Sequence, residues 1–157
     1  VRRGVLLLHG HGRTGLSMGL LAARLQAAGW HSLAPSYGFR RDFPAILAHL
    51  REPVARFADG VDRLDIVTHS MGGLVARALI AAQRPPNLGR VVMLAPPNRG
   101  SALADLLLRL GLAETLLGPA HGHLLTRRSA EAEALLGSMV DYELGILAGS
   151  RSLSPVP

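Results

Sequence analysis

The sequence predicts an α/β fold, a mostly parallel sheet with helices on both faces. Three observations carry that expectation. A short continuous apolar run at 4–9 has the character of a strand buried on both faces, and 63–68 and 90–95 are further strand-like runs. Segments with helical spacing alternate with these runs, which is the pattern of βαβ units. Glycine-rich turns follow two of the runs, at Gly10-His11-Gly12 and at Gly72-Gly73.

The elements follow in order. Gly4–His9 (GVLLLH) is the first strand. Gly15–Ala28 is a helix with Leu16, Leu20, Leu21 and Leu25 at helical spacing, and Gly29 is placed to end it. His31–Pro35 is a weak second strand. Phe43–Phe57 is a helix in which Pro53 is expected to kink or break the chain. Arg63–Thr68 is a strand, Ser70–Gln83 a helix stopped by Pro85-Pro86, and Arg90–Ala95 a strand ended by Pro96-Pro97. Residues 101–140 break this rhythm. They are rich in Leu and Ala, are broken by Gly111, Gly118 and Gly122, and suggest two or three short cap-like helices. Tyr142–Ala148 returns to strand character.

At 157 residues the chain is sized for a single domain, 1–157, with the cap-like insertion inside it. Hydrophobic residues make up 48% and charged residues 18%, enough apolar material for a core and unlike a disordered chain. No apolar run reaches the roughly 18 residues of a membrane span; Leu103–Leu117 is interrupted by Asp105, Arg109 and Glu114. The absence of cysteine excludes disulfides, thiolate metal sites and cysteine nucleophiles. The net charge is +6, and all 17 basic residues are arginine. No basic stripe is interleaved with aromatics, so a nucleic-acid partner is not expected. Arginine without lysine in an Ala-, Gly- and Leu-rich chain has the look of GC-rich coding. Nothing in the sequence fixes a compartment.

The strongest chemical signal is Thr68-His69-Ser70-Met71-Gly72-Gly73, between a predicted strand and a predicted helix. A serine on such a sharp turn exposes its hydroxyl above the carboxyl edge of the sheet. The following N–H groups and the helix N-terminus can there stabilise a developing negative charge. The turn needs small residues two before and two after the serine. Gly72 meets that need and Thr68 meets it poorly. Serines also commonly cap helices, but the strand-to-helix setting, Gly73 and a second motif favour a nucleophile. That second motif is His9-Gly10-His11-Gly12-Arg13-Thr14, directly after the first strand. One oxyanion donor is expected at the Met71 N–H and the other at the His11 N–H. His9 is expected to pack under this loop, and His11 to contribute mainly its backbone.

Gly10-x-Gly12-x-x-Gly15 also fits the dinucleotide fingerprint. An acidic residue should then end the next strand, where the chain has Leu33-Ala34-Pro35-Ser36-Tyr37. Arg40 and Arg41 could suit a 2′-phosphate, so an NADP-binding protein is a rival expectation, one that leaves the Ser70 motif unexplained.

Taken together, LLLHGHGRTG at 6–15, DIVTHSMGGLVAR at 65–77 and VVMLAPPNRGSALAD at 91–105 resemble the α/β-hydrolase superfamily. LAGSRS at 147–152 is a softer match. The likeness is to its lipase- and esterase-like members, including the GPI-inositol-deacylase-like group. It implies a serine hydrolase acting on a small-molecule ester or a lipid, with Ser70 as nucleophile, Met71 and His11 as oxyanion donors, and no metal or organic cofactor. Asn98 and Ser101 would lie in the loop after the next strand, lining the pocket or shaping a turn.

In this superfamily the triad runs serine, acid, histidine along the chain, with the acid after a later strand. The tail Gly149–Pro157 carries no Asp, Glu or His. Within the chain the histidines after Ser70 are His121 and His123, and the acids are Asp105, Glu114, Glu131, Glu133, Asp141 and Glu143. Asp105 with His121 or His123 has the right order but falls in the expected cap. The expectation is therefore a fragment of a longer hydrolase, truncated at both ends, with its acid and histidine outside. A complete non-catalytic hydrolase-fold binding module is the alternative. A truncated sheet would expose an edge open to self-association.

Overall fold

Four consecutive apolar residues, Val5 to Leu8, are each no more than 1% exposed, which requires cover on both faces of the strand that carries them. That strand, β1 (Arg3–Leu8), lies inside a sheet of order β2-β1-β3-β4-β5. Its companions are β2 (His31–Leu33), β3 (Arg63–His69), β4 (Leu88–Leu94) and β5 (Leu144–Leu147). All four pairings are parallel. The computed structural model describes residues 1–10, 12–38, 41, 43–96 and 140–148. The expected cap over 101–140 and the tail beyond 148 lie outside the described residues, apart from Val140.

Alternate residues of β1 feed two cores. Val5 and Leu7 join Met18 on one face, packed by Leu21, Ala22 and Leu25 of α1 (Gly19–Ala27) and by Trp30. A 3₁₀ turn, Gly15–Met18, leads into α1. Gly29, at φ +83°, ends the helix: the Trp30 N–H reaches the Leu25 carbonyl at 3.0 Å and the Gly29 N–H the Gln26 carbonyl at 2.9 Å. Leu6 and Leu8 face the larger core, built with α2 (Phe43–Asp59) and α3 (Gly72–Ala82).

In α2 the buried stripe Phe43, Ile46, Leu50, Val54 and Ala58 keeps helical spacing straight through Pro53. Of the kink or break expected there, the break does not occur. One backbone hydrogen bond is lost, but Leu50 and Val54 on either side remain anchored in the core. In α3 eight of the eleven residues are buried, so this helix is apolar nearly all round. It starts at Gly72 rather than at Ser70, because Ser70 and Met71 form the turn. β5 is an edge strand among the described residues, with Ile146 and Leu147 at least half exposed.

Chain order reverses between β1 and β3. Successive strands run from β1 outward to β2, then back across to β3. In an open parallel sheet the crevice for ligands opens at the carboxyl edge of such a switch point. Both glycine-rich turns lie there.

Candidate active site

β3 ends at His69, and Ser70 turns the chain at φ +50°. Side chains rarely adopt this left-handed conformation, which costs roughly 1–2 kcal/mol in a residue other than glycine. Two hydrogen bonds hold it. The Ser70 N–H donates to the Leu94 carbonyl at 2.9 Å, and the Ser70 carbonyl accepts the Gly73 N–H at 3.0 Å. Within one residue the chain passes from strand into the first turn of α3. The Ser70 hydroxyl and the Met71 N–H have no hydrogen-bond partner among the described residues.

The glycines are needed for close approach. A Cβ on Gly72 would run into the Leu8 carbonyl oxygen and lie 3.0 Å from that of His9. A Cβ on Gly10 would lie 3.0 Å from His69 Nδ1 and 3.3 Å from the Ser70 Cβ. The loop after β1 is thus pressed against the serine turn, with its backbone beside Ser70. Gly15 packs on the Ala34 carbonyl and donates its N–H to Ser36 Oγ at 2.9 Å. Gly12 takes φ +68°. Every glycine of the apparent dinucleotide fingerprint therefore has a packing or turn role of its own.

Thr68, the poor fit two residues before the serine, is fully buried, and its Oγ1 has no hydrogen-bond partner among the described residues. It faces Gly73, where a Cβ would sit at an ordinary contact distance of 3.5 Å from Oγ1.

His9 is 1% exposed and both ring nitrogens are committed. Nε2 accepts the Tyr37 N–H at 3.2 Å, so Nδ1 carries the proton and donates to the Gly10 carbonyl at 2.8 Å. The Tyr37 hydroxyl donates to the His9 carbonyl at 2.5 Å, and the two rings stack at 3.9 Å. Burial lowers the imidazole pKa, partly offset by the Gly10 bond, and burial raises that of the Tyr37 hydroxyl. His9 is a neutral strut beneath the loop, as expected. Tyr37 was not visible as its partner in the sequence, since nothing in a spacing of 28 residues links the two.

His69 is half-buried beside Gly10 and lines a groove of about 390 Å³ with Arg13, Arg24 and Leu94. A second cavity of about 460 Å³ lies between α2 and α3, walled by Leu6, Ile66, Leu79 and Pro85, and does not include the serine turn.

Two acidic candidates are excluded by position. Asp141 and Glu143 precede β5 and pair with Arg84 at 2.6 Å and Arg90 at 2.5 Å. Leu147 is level with Leu94, and so with the turn, whereas Asp141 and Glu143 lie before the opposite end of β5. His11, Asn98, Ser101, Asp105, Glu114, His121, His123, Glu131 and Glu133 lie outside the described residues. Among the described residues no group of three His, Asp or Glu side chains could hold a metal ion, and no histidine is hydrogen-bonded to Ser70.

A domain family of unknown function (DUF7379) matches residues 44–113. No curated protein matches the chain. Among solved structures, phospholipase PlaB from Legionella pneumophila superposes with TM-score 0.61 at 24% identity, covering 96% of this chain and 39% of that one. Tomato methylketone synthase I in complex with 2-tridecanone gives 0.56 at 19%, covering 76% and 49%. An extracellular α/β-hydrolase from a Paenibacillus species gives 0.53 at 17%, covering 60% and 40%. The sheet and its helices have the α/β-hydrolase fold. The chain spans between two-fifths and one-half of the length of these neighbours.

Proposed function

We propose that this domain carries the nucleophile and oxyanion site of a serine hydrolase that cleaves carboxylic esters. One observation carries the proposal above the others: a serine, rather than glycine, held at φ +50° between a strand and a helix. Backbone strain of this kind persists where the surrounding structure over-determines it, and it clusters at sites of chemistry. A serine that only capped a helix would have the extended backbone of an ordinary N-cap.

In this reading Ser70 Oγ attacks the ester carbonyl while an imidazole takes its proton. The carbonyl oxygen becomes an oxyanion between the Met71 N–H and the His11 N–H, aided by the N-terminus of α3. Collapse expels the alcohol, and water activated by the same imidazole releases the acid. That imidazole and its acid come from outside the described residues, because His9 is fully committed and no other described histidine is hydrogen-bonded to Ser70. By the same resemblance Asn98 would line the pocket. The substrate is a small ester or a lipid. The narrower likeness to the GPI-inositol-deacylase-like group belongs to the same reading.

The second reading, a hydrolase-fold module that binds without turnover, is favoured by the lack of a base against Ser70 among the described residues. Fluorophosphonate labelling read by intact mass separates the two, with Ser70→Ala as control and circular dichroism to verify folding. Labelling that vanishes in Ser70→Ala supports an activated serine. A folded chain that never labels, alone or as part of a longer protein, overturns the hydrolase reading.

A further inference from the structure

The first 41 residues contain six arginines and no carboxylate; all eleven Asp and Glu follow Arg41. This stretch builds β1, β2 and α1, so the asymmetry along the sequence becomes an asymmetry between faces. The four ion pairs among the described residues, Glu52–Arg56, Arg63–Asp65, Arg84–Asp141 and Arg90–Glu143, all lie outside it. One later carboxylate reaches it, Asp62 at the Arg2 amide, and Arg3 lies 5.0 Å over the Trp30 ring.

On the same face Leu16 and Leu20 are 89% and 69% exposed, one helical turn apart. Arg13 and Arg24 flank them, exposed and without a carboxylate partner among the described residues. Nothing in α1 is fully buried. Large apolar side chains bracketed by unpaired guanidiniums suit one environment well: the headgroup boundary of an anionic bilayer. It takes leucine into its acyl edge and arginine onto its phosphates. A nucleic acid would use the arginines but leave both leucines in water.

We propose that the α1 face docks on an anionic lipid surface through Arg13, Leu16, Leu20 and Arg24. The groove that these arginines share with His69 then opens toward the lipid, next to the serine turn. The proposal does not depend on turnover.

The test is co-sedimentation of the 157-residue chain with equimolar phosphatidylcholine–phosphatidylglycerol vesicles and with pure phosphatidylcholine vesicles. Binding to the anionic vesicles that weakens with salt is expected, with little to the neutral ones. Arg13→Gln and Arg24→Gln should each weaken it by roughly fivefold. Leu16→Ser with Leu20→Ser should weaken it further at unchanged circular dichroism, as both side chains are exposed. Equal partition to both vesicles, or no binding, overturns the proposal. So does binding indifferent to the leucines and matched by heparin, which would make the face a general polyanion site. A dimer in sedimentation velocity that the leucine changes dissolve would assign the face to a second copy instead.

Discussion

Ser70 donates its backbone N–H to the carbonyl of Leu94, so the β3–β4 ladder runs one residue beyond the end of β3 and into a left-handed serine. Next to it Ala95 takes φ +46° and donates to the Leu147 carbonyl at 2.7 Å. Adjacent strands thus end in the same uncommon conformation, fixed by ladder bonds from their neighbours.

Ser70→Gly should therefore be more stable than Ser70→Ala by about 1 kcal/mol, since glycine takes φ +50° without strain while alanine does not. Denaturant midpoints of the two variants check this. Both should lose fluorophosphonate labelling, so stability and reactivity move apart at one position.

Gly72→Ala forces a methyl group onto the Leu8 carbonyl, a backbone atom that cannot swing aside. A loss of about 1–3 kcal/mol is expected, the range for overpacking, together with loss of labelling as the turn opens. A stable variant that still labels would show that the turn does not need this close approach.

Thr68→Val keeps the shape and removes a buried hydroxyl that has no partner among the described residues. The expected change is a gain of about 1 kcal/mol, read as a higher denaturant midpoint. A loss of stability would mean that the hydroxyl has found a partner, such as a buried water.

His9 has its pKa lowered from 6.5 by burial, so below that value the unfolded chain binds the proton that the folded one refuses. Its contribution is complete above pH 6.5 and is lost as pH falls through the lowered folded value. The denaturation midpoint should fall over that window, and the His9 ring signals in NMR should titrate below the usual range. Tyr37→Phe, which leaves the His9 carbonyl without its hydroxyl donor, should cost about 1–3 kcal/mol at neutral pH.

Among the described residues β5 has no partner on its outer edge, and Ile146 and Leu147 are exposed. We expect self-association through this edge, which Ile146→Lys should reduce. Light scattering that shows a monodisperse monomer in both proteins would rule it out.

The sheet was legible in the sequence because its inner strands carry apolar residues into the core. Val5–Leu8 and Val91–Leu94 stand out as apolar runs, Leu64, Ile66 and Thr68 are the buried alternate positions of β3, and Gly29 marks the end of its helix. The serine turn was legible from Gly72 and Gly73 around Ser70. Less legible were features that arise only across the sheet. Pro53 does not break α2, because the stripe from Leu50 to Val54 holds the helix. The Thr68–Gly73 contact and the His9–Tyr37 stack depend on residues brought together by the fold. Asp141 follows Ser70 but has no histidine after it in the chain, and the parallel direction of β5 places it before the end of that strand remote from the turn.

The interior position of β1, between β2 and β3, also sets a schedule for synthesis. Its partner β3 begins 60 residues later, at Arg63 opposite Arg3. At roughly 5–20 residues per second, the ribosome makes Val5–Leu8 wait roughly 3–12 seconds for that neighbour. In the interval only the three-residue β2 is at hand to pair with it. The most apolar of the described strands is thus made well before its longer neighbour, so a nascent chain of this protein is a natural client for chaperones that hold extended hydrophobic segments.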